Sequence, residues 1–180
     1  MTNNIYIDEI ITHKDAFYKT KFNGDIDNVE ADIQRILDTD RDGRKVSNIG
    51  GYQSNYILRG FDELQYFQWN CIQEIFPKYN IMKKPDFWLN VNKGKDYNVN
   101  HIHGEENIAC VYYHKVCCDK SPIVFTHLVP AIHSTSYEHS AEAQDILIFK
   151  GNIPHHVRQC GQENHIRISL AFNYRILNEK

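Results

Sequence analysis

The sequence of 180 residues lacks several features that would place a protein in a class at once. Its charge is nearly balanced, with 20 lysines and arginines against 23 acidic residues, so nothing indicates a nucleic-acid partner or an anionic membrane surface. No apolar run approaches the roughly 18 residues that a membrane helix needs. The first residues also lack a basic segment followed by an apolar stretch, the pattern of a signal peptide. We therefore expect a cytoplasmic protein with no membrane partner.

Paired cysteines are also missing. The five cysteines are an odd number, and no two of them have CxxC spacing: Cys71, Cys110, Cys117, Cys118 and Cys160. This pattern argues against a disulfide framework or a zinc knuckle and favours reduced thiols packed as small apolar residues. The chain has no internal repeats, low-complexity tracts or linker-like segments, so we predict one domain over residues 1–180.

The first part of the chain, to about residue 80, is predicted to be helical. Apolar residues recur at helical spacing at Ile26, Val29, Ile33 and Ile36, after the potential N-cap Asp25. A second helix is predicted from Phe61 to Phe76, where Pro77 ends it. These helices carry no reactive cluster, and we expect them to form a packing scaffold.

From residue 86 onward the pattern changes to short segments rich in valine, isoleucine, tyrosine and phenylalanine, separated by turn residues. We predict strands near 86–92, 97–103, 108–116, 122–128, 145–150, 154–159 and 165–174. Regularly spaced short strands after two helices indicate a mainly β fold, a double-sheet jelly roll over about 86–175 with the helices packed outside. The segment 128–144 is predicted to be a loop that, with the N-terminal 45 residues, covers the mouth of a site.

Histidine is the compositional anomaly: nine of the ten histidines lie between His101 and His165. On a strand, His101, His103 and Glu105 would project to the same side, because successive side chains alternate faces. Two imidazoles at this spacing reach one ion, and nitrogen ligands suit iron, zinc, copper or nickel better than calcium or magnesium. The alternative is a solvated polar face on an edge strand.

A second histidine pair follows some fifty residues later, at His155 and His156 after Pro154. In a jelly roll, a ligand from this distant strand can complete a metal site that two histidines begin. His155 and His156 would point in opposite directions on an extended segment, so only one of them can face that site. Either could otherwise be an ordinary surface histidine.

Arg167 stands inside an alternating apolar strand, with Ser169 on the same face. A buried arginine must meet an anion, because an unpaired buried cation is costly. The guanidinium would offer a planar fork to a carboxylate, and the Ser169 hydroxyl would be a second donor. The alternative is an arginine that faces solvent.

These features occur in an ordered set of five segments: SNIGGYQS (47–54), FWLNVNKGKDYNVNHIH (87–103), ACVYYHKV (109–116), ILIFKGNIPHHV (146–157) and RISLAFN (167–173). The set resembles a subfamily of 2-oxoglutarate- and Fe(II)-dependent oxygenases found among bacteria and phages. The pattern of that subfamily runs GGWxS, WxNxxxxGxxNxxHxH, SGVYY, PHxV and RxSxxFN. The match covers roughly residues 45–175. Tyr52 stands where the pattern has tryptophan, and Ala109-Cys110 where it has Ser-Gly.

The resemblance implies a distorted double-stranded β-helix (a cupin-like jelly roll) that binds Fe(II) and the small-molecule co-substrate 2-oxoglutarate. It places His101 as the proximal metal ligand and His155 as the distal one. Arg167, assisted by Ser169, would pair with the distal carboxylate of 2-oxoglutarate. Further candidates to line the co-substrate pocket are Tyr113, Asn90 and Tyr97.

One departure from the wider superfamily concerns the metal. The position two residues after the first histidine usually holds a carboxylate, whereas this chain has His103. We predict the ligand set His101, His103 and His155. In an alternative register, His103 and Glu105 bind the metal and His101 does not.

The function that the resemblance implies is a dioxygenase that hydroxylates an unidentified substrate and releases succinate and CO2. The alternative is a cupin-like metalloprotein, a small-molecule dioxygenase or an isomerase, that does not use 2-oxoglutarate. The usual cupin spacing places a glutamate farther beyond the HxH pair than Glu105 and Glu106 stand. A third reading is a non-catalytic sugar- or protein-binding jelly roll whose histidines are incidental.

Overall fold

The computed structural model describes residues 6–11, 15–116, 122–128 and 134–180, so Cys117 and Cys118 lie outside the described residues. The helices are α1 (Ile26–Thr39) and α2 (Asp62–Ile75). The strands are β1 (Asp8–Ile11), β2 (Ala16–Lys21), β3 (Asn48–Ile49), β4 (Tyr52–Gln53), β5 (Tyr79–Ile81), β6 (Asp86–Lys93), β7 (Tyr97–His101), β8 (Asn107–Lys115), β9 (Ile123–Leu128), β10 (Ser134–His139), β11 (Asp145–Lys150), β12 (His155–Val157) and β13 (Ile166–Glu179).

Both predicted helices are confirmed. The Asp25 carboxylate accepts a hydrogen bond from the Asn28 backbone N–H (3.1 Å) and caps α1. The helices bury their apolar faces against the larger sheet, in one cluster that includes Ile33 of α1 and Leu64 of α2. Neither helix is long and apolar enough to span a membrane, in the part of the chain that the structure describes.

The larger sheet has the strand order β1-β2-β11-β8-β13-β6-β4, and β5 pairs separately with β13. All pairings are antiparallel. Its central strands are buried on both faces, which explains their continuous apolar runs. On β8, Cys110 and Tyr112 face the helices, whereas Val111 and Tyr113 face the opposite way.

The smaller sheet has the order β10-β9-β12-β7-β3. It packs against the inner face of the larger sheet: Phe125 of β9 stacks on Phe17 of β2, with ring centroids 4.7 Å apart. A second apolar core thus fills the space between the sheets. At one end of this space, the apolar residues give way to polar ones from both sheets.

The mainly β class is confirmed, but the predicted secondary structure of two segments was wrong. The N-terminal part is not only helical, because β1 and β2 extend the larger sheet through the pairing of β2 with β11, and the short strands β3, β4 and β5 also lie before residue 86. The segment 128–144 is not only a loop, because β10 pairs with β9 from Ser134 to His139. Each missed strand is specified by a partner strand rather than by a strong pattern of its own.

Candidate metal centre

Two histidines face each other across a strand pair. His101 of β7 stands directly opposite His155 of β12, and the ring centroids are 4.4 Å apart. Along β12, His155 and Val157 are two residues apart, whereas their partners on β7, Asn98 and His101, are three apart. This β-bulge lets both Asn98 and His101 line one cavity although strict alternation would separate them.

His103 follows the end of β7 and completes a cluster of three. Its Nε2 lies 3.2 Å from the Nε2 of His155, and one nitrogen from each of the three histidines lies within 4.8 Å of the others. The His103 ring stacks on Trp88, with centroids 5.6 Å apart and planes 25° apart. Three nitrogens this close can bind one metal ion in a facial arrangement.

Backbone hydrogen bonds set the orientation of two of the rings. The Nδ1 of His101 lies 2.8 Å from the carbonyl oxygen of Val99, and the Nδ1 of His155 lies 2.9 Å from that of Ile153. A carbonyl can only accept, so each Nδ1 donates its hydrogen and each Nε2 keeps a lone pair. This is the arrangement in which proteins present metal-binding histidines.

Burial keeps the three imidazoles neutral. Desolvation and the neighbouring His101 lower the pKa of His103 to about 3. Desolvation also lowers the pKa of His101. His155 is only 3% exposed, and its burial lowers its pKa well below the usual range of histidine. The protonated forms are disfavoured at neutral pH, so the nitrogens are available as ligands.

The turn that carries His103 is held by a close backbone contact. The His103 N–H donates to the Gly151 carbonyl, and the Gly151 N–H donates to the Asn107 carbonyl, both at 2.7 Å. A Cβ at position 151 would lie 2.4 Å from the Gly104 carbonyl oxygen, so only glycine permits this approach. The contact joins the histidine turn to the end of β11.

The cavity that contains the histidines also contains the predicted anion-binding residues. Its lining residues come from both sheets and from two connecting segments: Ser47, Trp88, Asn90, Asn98, His101, His103, Val111, Tyr113, Ile123, His155, Val157, Arg167, Ser169 and Ala171. Arg167 is 4% exposed, and its guanidinium carbon lies 5.5 Å from the centroid of the Tyr113 ring. The structure has Arg167 and Ser169 facing inward, which is one of the two orientations that the sequence left open.

Three neighbouring strands contribute a row of buried polar side chains. Ser169 of β13 stands opposite Asn90 of β6 on one side and Tyr113 of β8 on the other. The Tyr113 hydroxyl and the Asn90 Oδ1 are buried and have no hydrogen-bond partner within the described ranges. Burial raises the pKa of Tyr113 to about 12, so the hydroxyl stays protonated and can donate.

Other predicted residues lie elsewhere. Glu105 is exposed in the turn after His103 and is not part of the histidine cluster, so the geometry favours the register with His101 and His103. His156 also lies outside the cluster. Tyr97 does not line the cavity; its neighbour Asn98 does.

Sequence reasoning missed seven of the lining residues, and the three of them with polar or aromatic side chains are Ser47, Trp88 and Asn98. The alternation of β6 contained a signal for one of them, because Trp88 shares a face with Asn90. Asn98 could not be found in this way, since the β-bulge changes the face of β7. Ser47 comes from a loop, where periodicity gives no information.

No protein-family model matches the sequence, and a search of curated proteins finds no significant match. Solved structures do match. A prolyl-4-hydroxylase from Pseudomonas putida has a TM-score of 0.63 at 14% identity, over 88% of this chain and 91% of that chain. HygX from Streptomyces hygroscopicus, with nickel, 2-oxoglutarate and hygromycin B bound, has a TM-score of 0.64 at 10% identity, over 88% and 82%.

A third similar structure is the viral collagen prolyl hydroxylase of Paramecium bursaria Chlorella virus 1 in complex with 2-oxoglutarate. Its TM-score is 0.60 at 12% identity, over 88% of this chain and 95% of that chain. At such low identities the similarities show the fold: the chain has the double-stranded β-helix of these oxygenases, as the sequence predicted.

Proposed function

We propose that the protein is an Fe(II)- and 2-oxoglutarate-dependent dioxygenase that hydroxylates a substrate and releases succinate and CO2. The observation that carries the proposal is one cavity that holds both a three-histidine cluster and a buried arginine flanked by hydroxyl groups. A metal-binding jelly roll that does not use 2-oxoglutarate would have no need for the buried cation beside its metal.

The residues present fit both groups. Three neutral imidazole nitrogens are a suitable ligand set for Fe(II). The Tyr113 hydroxyl and the Asn90 Oδ1, buried and without partners among the residues described, are polar atoms that a bound ligand or water would satisfy. Arg167 offers the charge that a dicarboxylate needs.

Each group of residues has a distinct task. His101, His103 and His155 would hold the metal, and Arg167 with Ser169 and Tyr113 would hold the distal carboxylate of 2-oxoglutarate. The bound pair supplies the oxidising chemistry, in which one atom of O2 enters the substrate and the other enters succinate. The protein orients the co-substrate toward the metal, and the buried walls of the cavity limit the access of water.

Similar structures support the same class. HygX was solved with nickel and 2-oxoglutarate bound, and the viral prolyl hydroxylase with 2-oxoglutarate. These ligands belong to proteins with the fold of this chain, and its cavity contains the residue types that both ligands require.

An anaerobic titration tests the proposal. Metal-stripped protein receives Fe(II) and then 2-oxoglutarate while the visible metal-to-ligand charge-transfer absorption is recorded. We expect a saturable band in the wild type. Arg167→Ala should weaken 2-oxoglutarate binding about tenfold or more, because a charge-assisted hydrogen-bond pair is lost. His103→Ala should weaken Fe(II) binding, measured directly by calorimetry.

Matched controls come from the same strands. Arg175→Ala removes an exposed arginine of β13, and His156→Ala removes the histidine next to His155; both should behave as the wild type. Fe(II) binding without a band would refute the use of 2-oxoglutarate and favour the cupin-like alternative. Failure to bind Fe(II) would refute a metalloenzyme and leave a binding module.

A further inference from the structure

A half-buried arginine lies on two aromatic rings beside the cavity. The guanidinium carbon of Arg44 is 3.9 Å from the centroid of the Tyr56 ring and 5.3 Å from that of Trp88. The two rings meet edge to face at 6.0 Å. Such a stack fixes the guanidinium plane and leaves its N–H edge for another group.

Several hydrogen bonds hold the loop that carries Arg44 in one conformation. The Asp40 carboxylate accepts hydrogen bonds from the N–H of Gly43 (3.2 Å), the N–H of Asn55 (2.6 Å) and the side chain of Asn55 (3.0 Å). The Arg44 N–H donates to the Gln53 carbonyl at 2.7 Å. Gly43 has a φ of +57°, and a Cβ there would lie 2.3 Å from the same carbonyl oxygen.

Trp88 connects this arginine to the metal centre. It is 7% exposed, it lines the cavity, and its ring stacks on His103 while it lies beneath Arg44. Ser47, three residues after Arg44, also lines the cavity. Tyr56, the other ring under Arg44, is 55% exposed, so the three stacked groups extend from the cavity wall to solvent.

The positive charge of Arg44 is not balanced by an ion pair in the part of the chain that the structure describes. Within the described ranges, no carboxylate forms an ion pair with it, and its buried Nε has no hydrogen-bond partner. Asp40, an acid of the same loop, is occupied by the three N–H donors of Gly43 and Asn55. A partly desolvated guanidinium in this state favours an oxyanion.

We propose that Arg44, supported by Tyr56 and Trp88, is a specificity-determining residue that binds an oxyanion group of the primary substrate at the mouth of the cavity. The substrate class is an organic acid or ester anion whose apolar part lies against the exposed Tyr56 ring. This inference rests on the proposed oxygenase function, since it assigns Arg167 to the co-substrate and Arg44 to the substrate.

The test uses the full chain loaded with Ni(II) and 2-oxoglutarate, so that the inner anion site is filled and no turnover occurs. Benzoate, phenyl phosphate and neutral benzyl alcohol are then titrated. The readout is tryptophan fluorescence in the background Trp69→Phe, because Trp88 is the only other tryptophan. Calorimetry on the wild type repeats the comparison without that substitution.

We expect benzoate, phenyl phosphate or both to bind with millimolar affinity and benzyl alcohol to bind much more weakly. Arg44→Gln should weaken anion binding about tenfold or more, and Arg44→Lys less, because lysine keeps the charge but not the planar fork. Arg41→Gln, which removes an exposed arginine from the same loop, should leave binding unchanged.

Two results would overturn the proposal. One is no binding of either anion by the wild type at concentrations up to about 50 mM, well above the millimolar dissociation constant expected of one charged pair. The other is anion binding that Arg44→Gln leaves unchanged. The preferred anion distinguishes a carboxylate from a phosphate ester. The same titration of metal-free protein separates this proposal from the previous one. Binding that depends on Arg44 there, together with failure to bind 2-oxoglutarate, would refute the oxygenase and retain the anion site.

Discussion

At the scale of single residues, two buried tyrosines differ in what their hydroxyl groups contact. The Tyr174 hydroxyl bonds the Gln65 carbonyl (3.1 Å) and the Gln68 side chain (3.0 Å). The Tyr113 hydroxyl is equally buried but has no partner in the portion of the chain described. A buried donor without a partner destabilises a fold, so its presence in the cavity indicates a role in ligand binding.

We therefore expect Tyr113→Phe to weaken the binding of 2-oxoglutarate without lowering the stability of the fold. Removal of an unpartnered hydroxyl should leave the free energy of unfolding unchanged or raise it slightly, whereas the affinity for 2-oxoglutarate should fall several-fold, by the roughly 1 kcal/mol of one hydrogen bond. Chemical denaturation and the charge-transfer titration measure the two effects.

Tyr174→Phe is the matched control. It removes a bonded hydroxyl and leaves the Gln68 side chain buried without its partner, so stability should fall by about 1–2 kcal/mol with no change in 2-oxoglutarate affinity. A Tyr113→Phe protein that loses stability to the same extent, and binds 2-oxoglutarate normally, would show that Tyr113 is structural.

The predictability of the site varied from residue to residue. Simple alternation placed Arg167 and Ser169 on one face of β13, whose pairing with β6 is regular over this stretch, and the structure shows that this face lines the cavity. Alternation predicted only that one of His155 and His156 would face inward. The structure shows that it is His155, which stands opposite His101 in the strand pairing. Arg44 was not predicted, since its surroundings come from hydrogen bonds within a loop.

At the scale of elements, the metal centre depends on how the turn after β7 meets the end of β11. Gly151→Ala should disturb this meeting, because the new Cβ would lie 2.4 Å from the Gly104 carbonyl oxygen and 2.8 Å from that of Asn107, both rigid backbone atoms. We expect a loss of about 1–3 kcal/mol in stability, typical of overpacking, and weaker metal binding through displacement of His103.

Gly161→Ala serves as the comparison for Gly151→Ala. Gly161 has a positive φ of 77°, but an added Cβ would meet no atom within 4 Å. This variant should lose about 1 kcal/mol from backbone strain and bind metal as the wild type does. Equal metal affinity in the two alanine variants would mean that the contact at Gly151 does not position His103.

The elements that the sequence predicted well are those with a strong pattern of their own. Both helices, and the strands of the β-rich part other than β10 and the end of β13, fall within a few residues of the predicted bounds. The strands β1 to β5 and β10 were missed because partners elsewhere define them: β2 pairs with β11, more than one hundred residues later. Single-sequence periodicity contains no information about such distant pairing.

At the scale of the whole molecule, the two sheets bury the histidine cluster and thereby link its protonation to folding. The pKa values of His101, His103 and His155 are all lowered in the folded protein. Below pH about 6.5, the usual histidine value, the unfolded chain binds more protons than the folded one. The stability of the metal-free protein should therefore fall as the pH decreases through this range.

His103 contributes a large part of this pH dependence of stability, because its pKa is lowered to about 3. Between pH 7.5 and pH 5, this residue alone should reduce the free energy of unfolding by about 2 kcal/mol, since each pKa unit corresponds to about 1.4 kcal/mol. Urea unfolding in the presence of a chelator, at both pH values, measures the difference. His103→Gln removes the titrating group and should reduce the difference by that amount, with the remainder due to the other histidines.

Metal should raise the stability at both pH values. An ion on the three nitrogens binds their neutral forms, and the lowered pKa values keep the buried imidazoles of the folded protein largely neutral at pH 5, so Ni(II) should stabilise the fold at pH 5 as well as at pH 7.5. If His103→Gln kept the full pH difference of the wild type, His103 would not contribute to that difference. The loss of stability in acid would then come from other titratable groups of the molecule.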